Sequence, residues 1–301
     1  MSIMDFEGVY SATFTPLTDT GEPDLDMQAR LVDFHASNGL AGLYLCGSTG
    51  EGPMLSNDAR KLLTRNAVDV AGDRLKIIAH VGHTCTDDAV ELAEAAEADG
   101  AHAVSSVHPI YYSYNDEREH RHYKAIADAV SVPMIIYAHP IMTGKEMSAE
   151  HLLRLFEVEN ILGVKYTGMD FYSMRNISDQ IPKDHIILSG SDERMVQGLV
   201  FGTSGAIGTT ENLLPGPFSE MYTRFQNDDI RWVMDMQQQI NALIRFLLTK
   251  GGLTYFKAAM RYVGFDCGPA KLPFKQLTEQ EYTDFAREME QFDALFARSK
   301  A

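Results

Sequence analysis

One lysine stands inside a run of apolar residues that is typical of a buried strand. Lys165 lies within ILGVKYTG, residues 161–168. Burial disfavours the charged form of a lysine side chain, and a neutral amine can attack a carbonyl carbon to form a Schiff base. The same position also suits a lysine at a strand end whose side chain reaches water. The residue pattern alone leaves both interpretations open.

Two further motifs follow strand-like runs. Tyr137 closes PMIIY and could relay a proton near an imine, although a packed aromatic ring with a satisfied hydroxyl is the alternative. GSTGEG, residues 47–52, offers backbone N–H groups and the hydroxyls of Ser48 and Thr49, which together can cradle a carboxylate. The motif lacks the lysine of a Walker loop, so we do not expect nucleotide binding.

Carboxylates and histidines also lie near strand ends. Asp192 and Glu193 follow LSGS and could hold sugar hydroxyls, with a solvated loop pair as the alternative. Five histidines invite a metal interpretation: His80, His83, His102, His108 and His139. These five lack HExxH spacing and a neighbouring cluster of acids, so we expect no catalytic metal.

The elements that would position these side chains form a regular alternation. Eight short apolar runs begin at Gly8, Gly42, Lys76, Ala101, Pro133, Ile161, His185 and Gly205. Most are continuously apolar, which is typical of parallel strands covered on both faces. Amphipathic stretches separate them, and Asp24 and Ser148 are suited to begin two of these helices.

This alternation predicts an α/β fold, a (β/α)8 TIM barrel, whose active site lies at the C-terminal ends of the strands. A doubly wound open sheet is the alternative, and the absence of a GxGxxG turn after the first run weakens it. Strand-like runs stop near residue 217, and helical stretches follow at 219–225, 230–248, 253–263 and 279–298. We therefore expect a catalytic barrel over residues 1–217 and a C-terminal helical extension over residues 218–301.

Composition excludes several classes of protein. The chain has 301 residues and a net charge of -16, so its surface repels nucleic acid and anionic lipid. Its three cysteines form no CxxC pair, which disfavours a disulfide framework or a zinc ribbon. We find no signal peptide and no run of about 20 apolar residues. We expect a cytoplasmic protein with no membrane or nucleic-acid partner.

Taken together, the motifs resemble the dihydrodipicolinate synthase and N-acetylneuraminate lyase superfamily of class I pyruvate aldolases. The resemblance covers nearly the whole chain and depends on the order of GSTGE, PIYY, the strand-end tyrosine, GVKYTG and GAIGTT. It implies that Lys165 forms the Schiff base, that no cofactor is needed, and that Tyr137 moves a proton. It also implies that Ser48 and Thr49 hold the pyruvate carboxylate. Tyr111 matches a tyrosine that reaches toward a neighbouring subunit, since members are commonly tetramers.

Within the superfamily, the resemblance favours the sialic acid lyases. The synthases carry an arginine two residues after the proline that follows the tyrosine motif, and Met142 stands there instead. The lyases carry a Gly-x-Asp-Glu run, and their pattern is matched by Gly190, Asp192, Glu193 and Thr167, with Thr209 where they usually have serine. The residues at 137–140, Tyr-Ala-His-Pro, depart from the lyase pattern, as does Leu253.

The resemblance therefore implies reversible cleavage of N-acetylneuraminate to N-acetylmannosamine and pyruvate, by a homotetramer. The small-molecule partner would be a 2-keto acid or an acid sugar. Another pyruvate aldolase, acting on 2-keto-3-deoxy sugar acids or as a dihydrodipicolinate synthase, is the alternative within the enzyme class. A non-catalytic ligand sensor on the same fold and a metal-dependent aldolase are the alternatives outside it.

Overall fold

Eight parallel strands form a closed barrel in chain order in the computed structural model, which describes residues 6–299. The strands are β1 Gly8–Ala12, β2 Gly42–Leu45, β3 Lys76–His80, β4 Ala103–Val107, β5 Met134–Ala138, β6 Ile161–Tyr166, β7 Ile186–Ser189 and β8 Gly205–Gly208. Strand β1 pairs with both β2 and β8, which closes the sheet. The predicted TIM barrel is confirmed.

Helices alternate with the strands and then continue alone. Those that follow β1 to β7 are α1 Leu25–Ser37, α2 Asn57–Ala71, α3 Thr86–Ala98, α4 Asp116–Ala129, α5 Pro140–Thr143, α6 Ala149–Leu155, α7 Phe171–Gln180 and α8 Met195–Val200. After β8 come α9 Pro215–Gln226, α10 Ile230–Lys250, α11 Leu253–Tyr262, α12 Glu279–Met289 and α13 Asp293–Phe296. No described helix is both long and apolar enough to cross a membrane.

Local signals in the sequence explain where several helices begin. The Asp24 carboxylate accepts the N–H of Met27 at 3.0 Å, and the Ser148 hydroxyl accepts the N–H of His151 at 3.1 Å. Both interactions satisfy a backbone donor that the first turn of a helix leaves free. The two predicted helix starts are therefore confirmed.

The last predicted helical stretch, 279–298, is divided. Helix α12 ends at Met289, a 3-10 turn spans Glu290–Phe292, and α13 follows. The tighter turn accompanies packing of the Phe292 ring against Phe246, with 5.5 Å between ring centroids. Aromatic packing on α10 thus overrides the uninterrupted helical pattern of the sequence.

Apolar and aromatic side chains fill the barrel lumen. The buried members of this cluster are Phe6, Tyr10, Ala12, Tyr44, Ile78, Ala103, Ile135, Tyr137, Ile186, Leu188 and Ile207. Gly42 admits the Tyr10 ring, because a methyl group at Gly42 would overlap that ring and the carbonyl oxygen of Lys76. The lumen is therefore a packed core, and chemistry is confined to its C-terminal end.

The C-terminal helices pack against the same end of the barrel as the strand-end motifs. Helix α10 contacts the turn at 192–194, where Gln237 donates to the Asp192 carbonyl oxygen at 2.9 Å. The expected boundary at residue 217 falls inside α9, which packs on β1. We retain the division into a barrel, 1–217, and a helical extension, 218–301, as a proposal.

Candidate active site

Lys165 lies on β6 with its amine between two phenol rings. The residue is 3% exposed. Its Nζ lies 4.2 Å from the centroid of the Tyr137 ring and 4.4 Å from that of Tyr44. Both ring faces attract a cation and exclude water, so they can accommodate the amine and the protonated imine that it would form. The geometry places an amine at a buried position walled by two aromatic rings.

The two tyrosines differ in their surroundings. Tyr137 on β5 is in register with Lys165 on the adjacent strand. The Tyr44 hydroxyl is hydrogen-bonded to Ser105 at 2.9 Å, and burial together with Tyr137 raises the pKa of Tyr44 well above its usual value. Tyr44 therefore remains a neutral wall of the site, which leaves Tyr137 as the candidate for proton transfer.

His80 packs against the tyrosine, and both of its ring nitrogens have hydrogen-bond partners. Its ring lies 5.9 Å from that of Tyr137, at an interplanar angle of 90°. Nδ1 is hydrogen-bonded to the Cys46 carbonyl at 3.1 Å, and Nε2 accepts the Val107 N–H at 3.3 Å. Burial and the charge of Arg60 hold the pKa of His80 well below its usual value. Both ring nitrogens are occupied, so the neutral ring has no nitrogen free for a ligand.

The glycine-rich loop after β2 carries the two predicted hydroxyls to different places: that of Thr49 is buried in the site, and Ser48 lies at the protein surface. Cys46 and Glu51 both adopt left-handed backbone angles, with φ of 56°. Thr49 is buried, and its hydroxyl lies 2.6 Å from the hydroxyl of Thr209, which follows β8. Ser48 is exposed. The structure thus brings Thr49 and Thr209 together at one end of the barrel.

A buried ion pair fixes this loop to the helical extension. Glu51 is 2% exposed, and its Oε1 lies 2.9 Å from Nζ of Lys257 on α11. Its Oε2 accepts the backbone N–H of Lys271 at 2.6 Å, and Lys257 also donates to the Pro269 carbonyl at 3.0 Å. The sequence analysis missed this pair, although a glutamate inside a glycine-rich loop was a visible signal.

The next two predicted residues lie at the ends of β6 and β7. The Gly190 N–H donates to the Tyr166 carbonyl at 2.8 Å. A methyl group at Gly190 would overlap Oγ1 of Thr167, so only glycine permits this approach. Thr167 is 8% exposed. Thr167 and Gly190 are therefore neighbours on adjacent strands.

The two predicted carboxylates face different ways. Asp192 is half-buried, and its Oδ2 accepts the Thr210 N–H at 2.5 Å. Glu193 is exposed and pairs with Arg194, with 3.1 Å between Oε1 and Nε. Glu211, which the sequence analysis did not single out, is fully buried beside Asp192. Its position after GAIGTT, at the end of an apolar run, was the signal that could have found it.

Tyr111 lies in the loop between β4 and α4 and extends from the chain. It is 89% exposed and has a φ of 83°, which is unusual for a bulky residue. Its ring meets that of Tyr112 edge to face, with 5.0 Å between centroids. The single chain therefore leaves Tyr111 largely uncovered.

Among residues 6–299, one group has the geometry of metal ligands, and it lies on the α4 and α6 helices. It consists of Asp116, Glu119 and His151. The Lys145 amine already lies 2.8 Å from Asp116 and 2.7 Å from Glu119, so a cation of the chain itself neutralises these acids. These three residues lie on helices, whereas the histidines that the sequence offers as metal ligands lie near strand ends.

Comparison with known proteins agrees with this geometry. The dihydrodipicolinate synthetase family matches residues 5–292. An N-acetylneuraminate lyase of Rhizobium meliloti is 32% identical over 92% of each chain. An N-acetylneuraminate lyase of Clostridium perfringens is 37% identical over 79% of this chain and 83% of its own.

Solved structures from two branches of the family are similar to this chain. A Clostridium difficile protein named CdNal, in complex with mannosamine, has a TM-score of 0.91 at 32% identity, covering 95% of this chain and 98% of its own. A dihydrodipicolinate synthase of Aquifex aeolicus has a TM-score of 0.90 at 26% identity, covering 96% and 99%. Class I aldolases of this family use a lysine Schiff base and no external cofactor. The chain is a carbon–carbon lyase that belongs to the dihydrodipicolinate synthetase family.

Proposed function

We propose that the protein cleaves N-acetylneuraminate reversibly to N-acetylmannosamine and pyruvate through a Schiff base on Lys165. The observation that carries the chemistry is the burial of the Lys165 amine between Tyr44 and Tyr137. The names of the relatives and the Gly190–Glu193 run support this substrate over others of the family. Met142 at the position of the synthase arginine disfavours dihydrodipicolinate synthesis.

The reaction begins with attack of the Lys165 amine on the C2 ketone of the open-chain acid sugar. Loss of water from the adduct gives a protonated imine, which the faces of Tyr44 and Tyr137 stabilise. The imine withdraws electrons from the C3–C4 bond. Covalent catalysis thus replaces one difficult cleavage by several easier steps.

The Tyr137 hydroxyl then relays a proton: its oxygen accepts the proton of the C4 hydroxyl while its own phenolic proton passes to the substrate carboxylate. The C3–C4 bond breaks, and N-acetylmannosamine leaves as the aldehyde. The electrons of the broken bond form an enamine of pyruvate on Lys165. Protonation at C3 and addition of water to the resulting imine release pyruvate and free the amine. Tyr137 is well placed because it is in register with Lys165 on the neighbouring strand.

The remaining predicted residues hold the substrate. In this proposal Ser48 and Thr49 bind the carboxylate, beside the hydroxyl of Thr209. The hydroxylated tail is bound by Thr167, Gly190, Asp192 and Glu193. Fixing both ends of the substrate keeps C2 within reach of the amine, and such positioning lowers the barrier substantially.

We also propose a cytoplasmic homotetramer in which Tyr111 reaches the site of a neighbouring subunit. The strongly exposed tyrosine supports this assembly, because a partner would cover a ring that the single chain leaves in water. The small-molecule partner is a 2-keto acid or an acid sugar.

A substrate panel tests the assignment. The purified protein is incubated with N-acetylneuraminate, with a 2-keto-3-deoxy sugar acid, and with pyruvate plus aspartate semialdehyde, and pyruvate is followed in each case. We expect pyruvate release to be fastest from N-acetylneuraminate. Faster turnover of the 2-keto-3-deoxy sugar acid would favour an aldolase specific for such acids. The departure of Ala138–His139 from the lyase pattern supports this second candidate. Absence of turnover with all three would contradict the proposal.

A further inference from the structure

Glu211 is a buried acid that the proposed mechanism does not use. It lies in the 3-10 turn Thr210–Asn212, directly after β8. The residue is fully buried, and among the described residues neither carboxyl oxygen accepts a hydrogen bond from another residue. Its own backbone N–H is the one donor that favours the charged form. An ionised carboxylate in such surroundings is disfavoured, because no donor from another residue replaces the water that it lost. Burial therefore favours the protonated form of Glu211.

The Glu211 carboxyl converges with that of Asp192 at one glycine. A methyl group at Gly208, the last residue of β8, would overlap both Oδ1 of Asp192 and Oε2 of Glu211. The other Asp192 oxygen, Oδ2, accepts the Thr210 N–H at 2.5 Å. Asp192 thus accepts a hydrogen bond from another residue, whereas the Glu211 carboxyl beside it does not.

The acidic charges around Glu211 also favour its protonated form. Burial, together with the charges of Asp192 and Glu193, raises the pKa of Glu211 well above its usual value, and Lys165 opposes this effect. Helix α9 turns an apolar buried face inward, formed by Pro215, Pro217, Phe218 and Met221.

We propose that Glu211 is a positioning residue, a neutral carboxylic acid whose O–H donates to the Asp192 carboxylate and aims it at the hydroxylated tail of the substrate. Between the Thr210 N–H and the Glu211 O–H, both Asp192 oxygens are oriented while lone pairs remain free for sugar hydroxyls. The inference rests on the proposed function, because Asp192 acts on a tail that pyruvate itself lacks.

Two variants of matched size test the donor. E211Q keeps an N–H donor for Asp192, whereas E211M keeps the side-chain length and removes the donor. We expect KM for N-acetylneuraminate to rise about tenfold in E211M and to remain within about threefold of the original in E211Q. Borohydride trapping of pyruvate on Lys165 should change by less than about threefold in E211M, because pyruvate has no tail.

An infrared difference spectrum between the original protein and E211Q tests the proton without relying on any substrate. We expect the C=O stretch of a protonated carboxylic acid at neutral pH. A carboxylate band in its place would overturn the inference. An equal increase of KM for N-acetylneuraminate in E211M and E211Q would also overturn the inference. So would a loss of pyruvate trapping in E211M as large as its increase in KM. If the original protein does not cleave N-acetylneuraminate, the proposed function fails, and the infrared band then decides the inference alone.

Discussion

At the scale of single residues, the candidate site is one amine between two phenols whose surroundings differ. Tyr44 is hydrogen-bonded to Ser105, and its raised pKa keeps it protonated, so it serves as a wall. Tyr137 stands in register with Lys165 and is the candidate proton carrier. The two rings contact each other edge to face, with 5.8 Å between centroids. Removing the hydroxyl of Tyr137 should therefore affect a different step from removing that of Tyr44.

Replacing Tyr137 by Phe should lower kcat about 10²–10⁴-fold, because the C4 hydroxyl loses its base. Trapping of pyruvate on Lys165 should persist, since imine formation uses the lysine amine. Steady-state kinetics and borohydride trapping on the same preparation measure both effects. Tyr44→Phe is the matched control and should reduce kcat less than about tenfold, because only the Ser105 hydrogen bond is lost. Similar kinetics in the two variants would remove the distinction between the tyrosines.

Glu211 gives a prediction for stability against pH. Its pKa in the folded protein is raised above the usual 4.5, so the folded state binds a proton that the unfolded state releases. The stability that depends on this proton is complete below pH 4.5 and declines as pH rises through the raised value. The Glu211→Gln variant should lack that decline. The difference between its Tm and the Tm of the original protein should therefore increase in favour of the variant from pH 5 to pH 8. Parallel Tm curves would contradict the raised pKa.

At the scale of elements, the loop after β2 depends on the C-terminal helices. Glu51 carries a left-handed backbone angle and is held by Lys257 on α11 and by the Lys271 N–H. The same loop carries Thr49 toward Thr209. The helical extension therefore does more than cover the barrel, since it fixes the loop that would hold the substrate carboxylate.

Lys257→Met should destabilise the fold by about 3–5 kcal/mol, because it leaves the Glu51 carboxylate buried without its partner. The double variant Glu51→Gln, Lys257→Met should recover part of this loss, as the buried charge is then removed. Urea denaturation of each variant measures the free energy of unfolding. Lys124→Ala, which breaks an exposed pair with Asp128, is the control and should change the midpoint little. A Lys257 variant as stable as the Lys124 variant would contradict the role of the pair.

At the scale of the whole molecule, the proposed assembly requires a partner for Tyr111. Size-exclusion chromatography with light scattering should give four times the mass of one chain. Tyr111→Phe should lower kcat more than Tyr112→Phe, because only Tyr111 matches the tyrosine that reaches a neighbouring subunit. A fully active monomer, or equal effects of the two substitutions, would contradict the tetrameric site.

The barrel could be predicted from sequence because its signal is repeated and local. Each strand is a short apolar run, and Asp24 and Ser148 mark helix starts within a few residues of the helices that they cap. The candidate reactive residues could be proposed for the same reason, since a lysine or tyrosine at the end of an apolar run is visible in one segment. The alternation of runs then assigned Lys165 and Tyr137 to one end of the barrel.

The residues that the sequence analysis missed are defined by distant partners. Glu51 and Lys257 are separated by 206 positions, and nothing in either segment indicates the other. The position of Glu211 after an apolar run marks it as a candidate, but its burial against Asp192 is not visible in the local sequence. The division of the helix over 279–298 likewise depends on ring packing between Phe292 and Phe246. Long-range packing therefore limits what periodicity can predict.

The central claim is that Lys165 forms an imine with pyruvate. The direct test is incubation with pyruvate, reduction with borohydride, digestion and mapping of the adduct by mass spectrometry. The account predicts a reduced pyruvate adduct on the peptide that contains Lys165, and its loss in Lys165→Ala, while the exposed-lysine variant Lys124→Ala retains it. A folded protein that shows no adduct, or an adduct on a different lysine, would contradict the account.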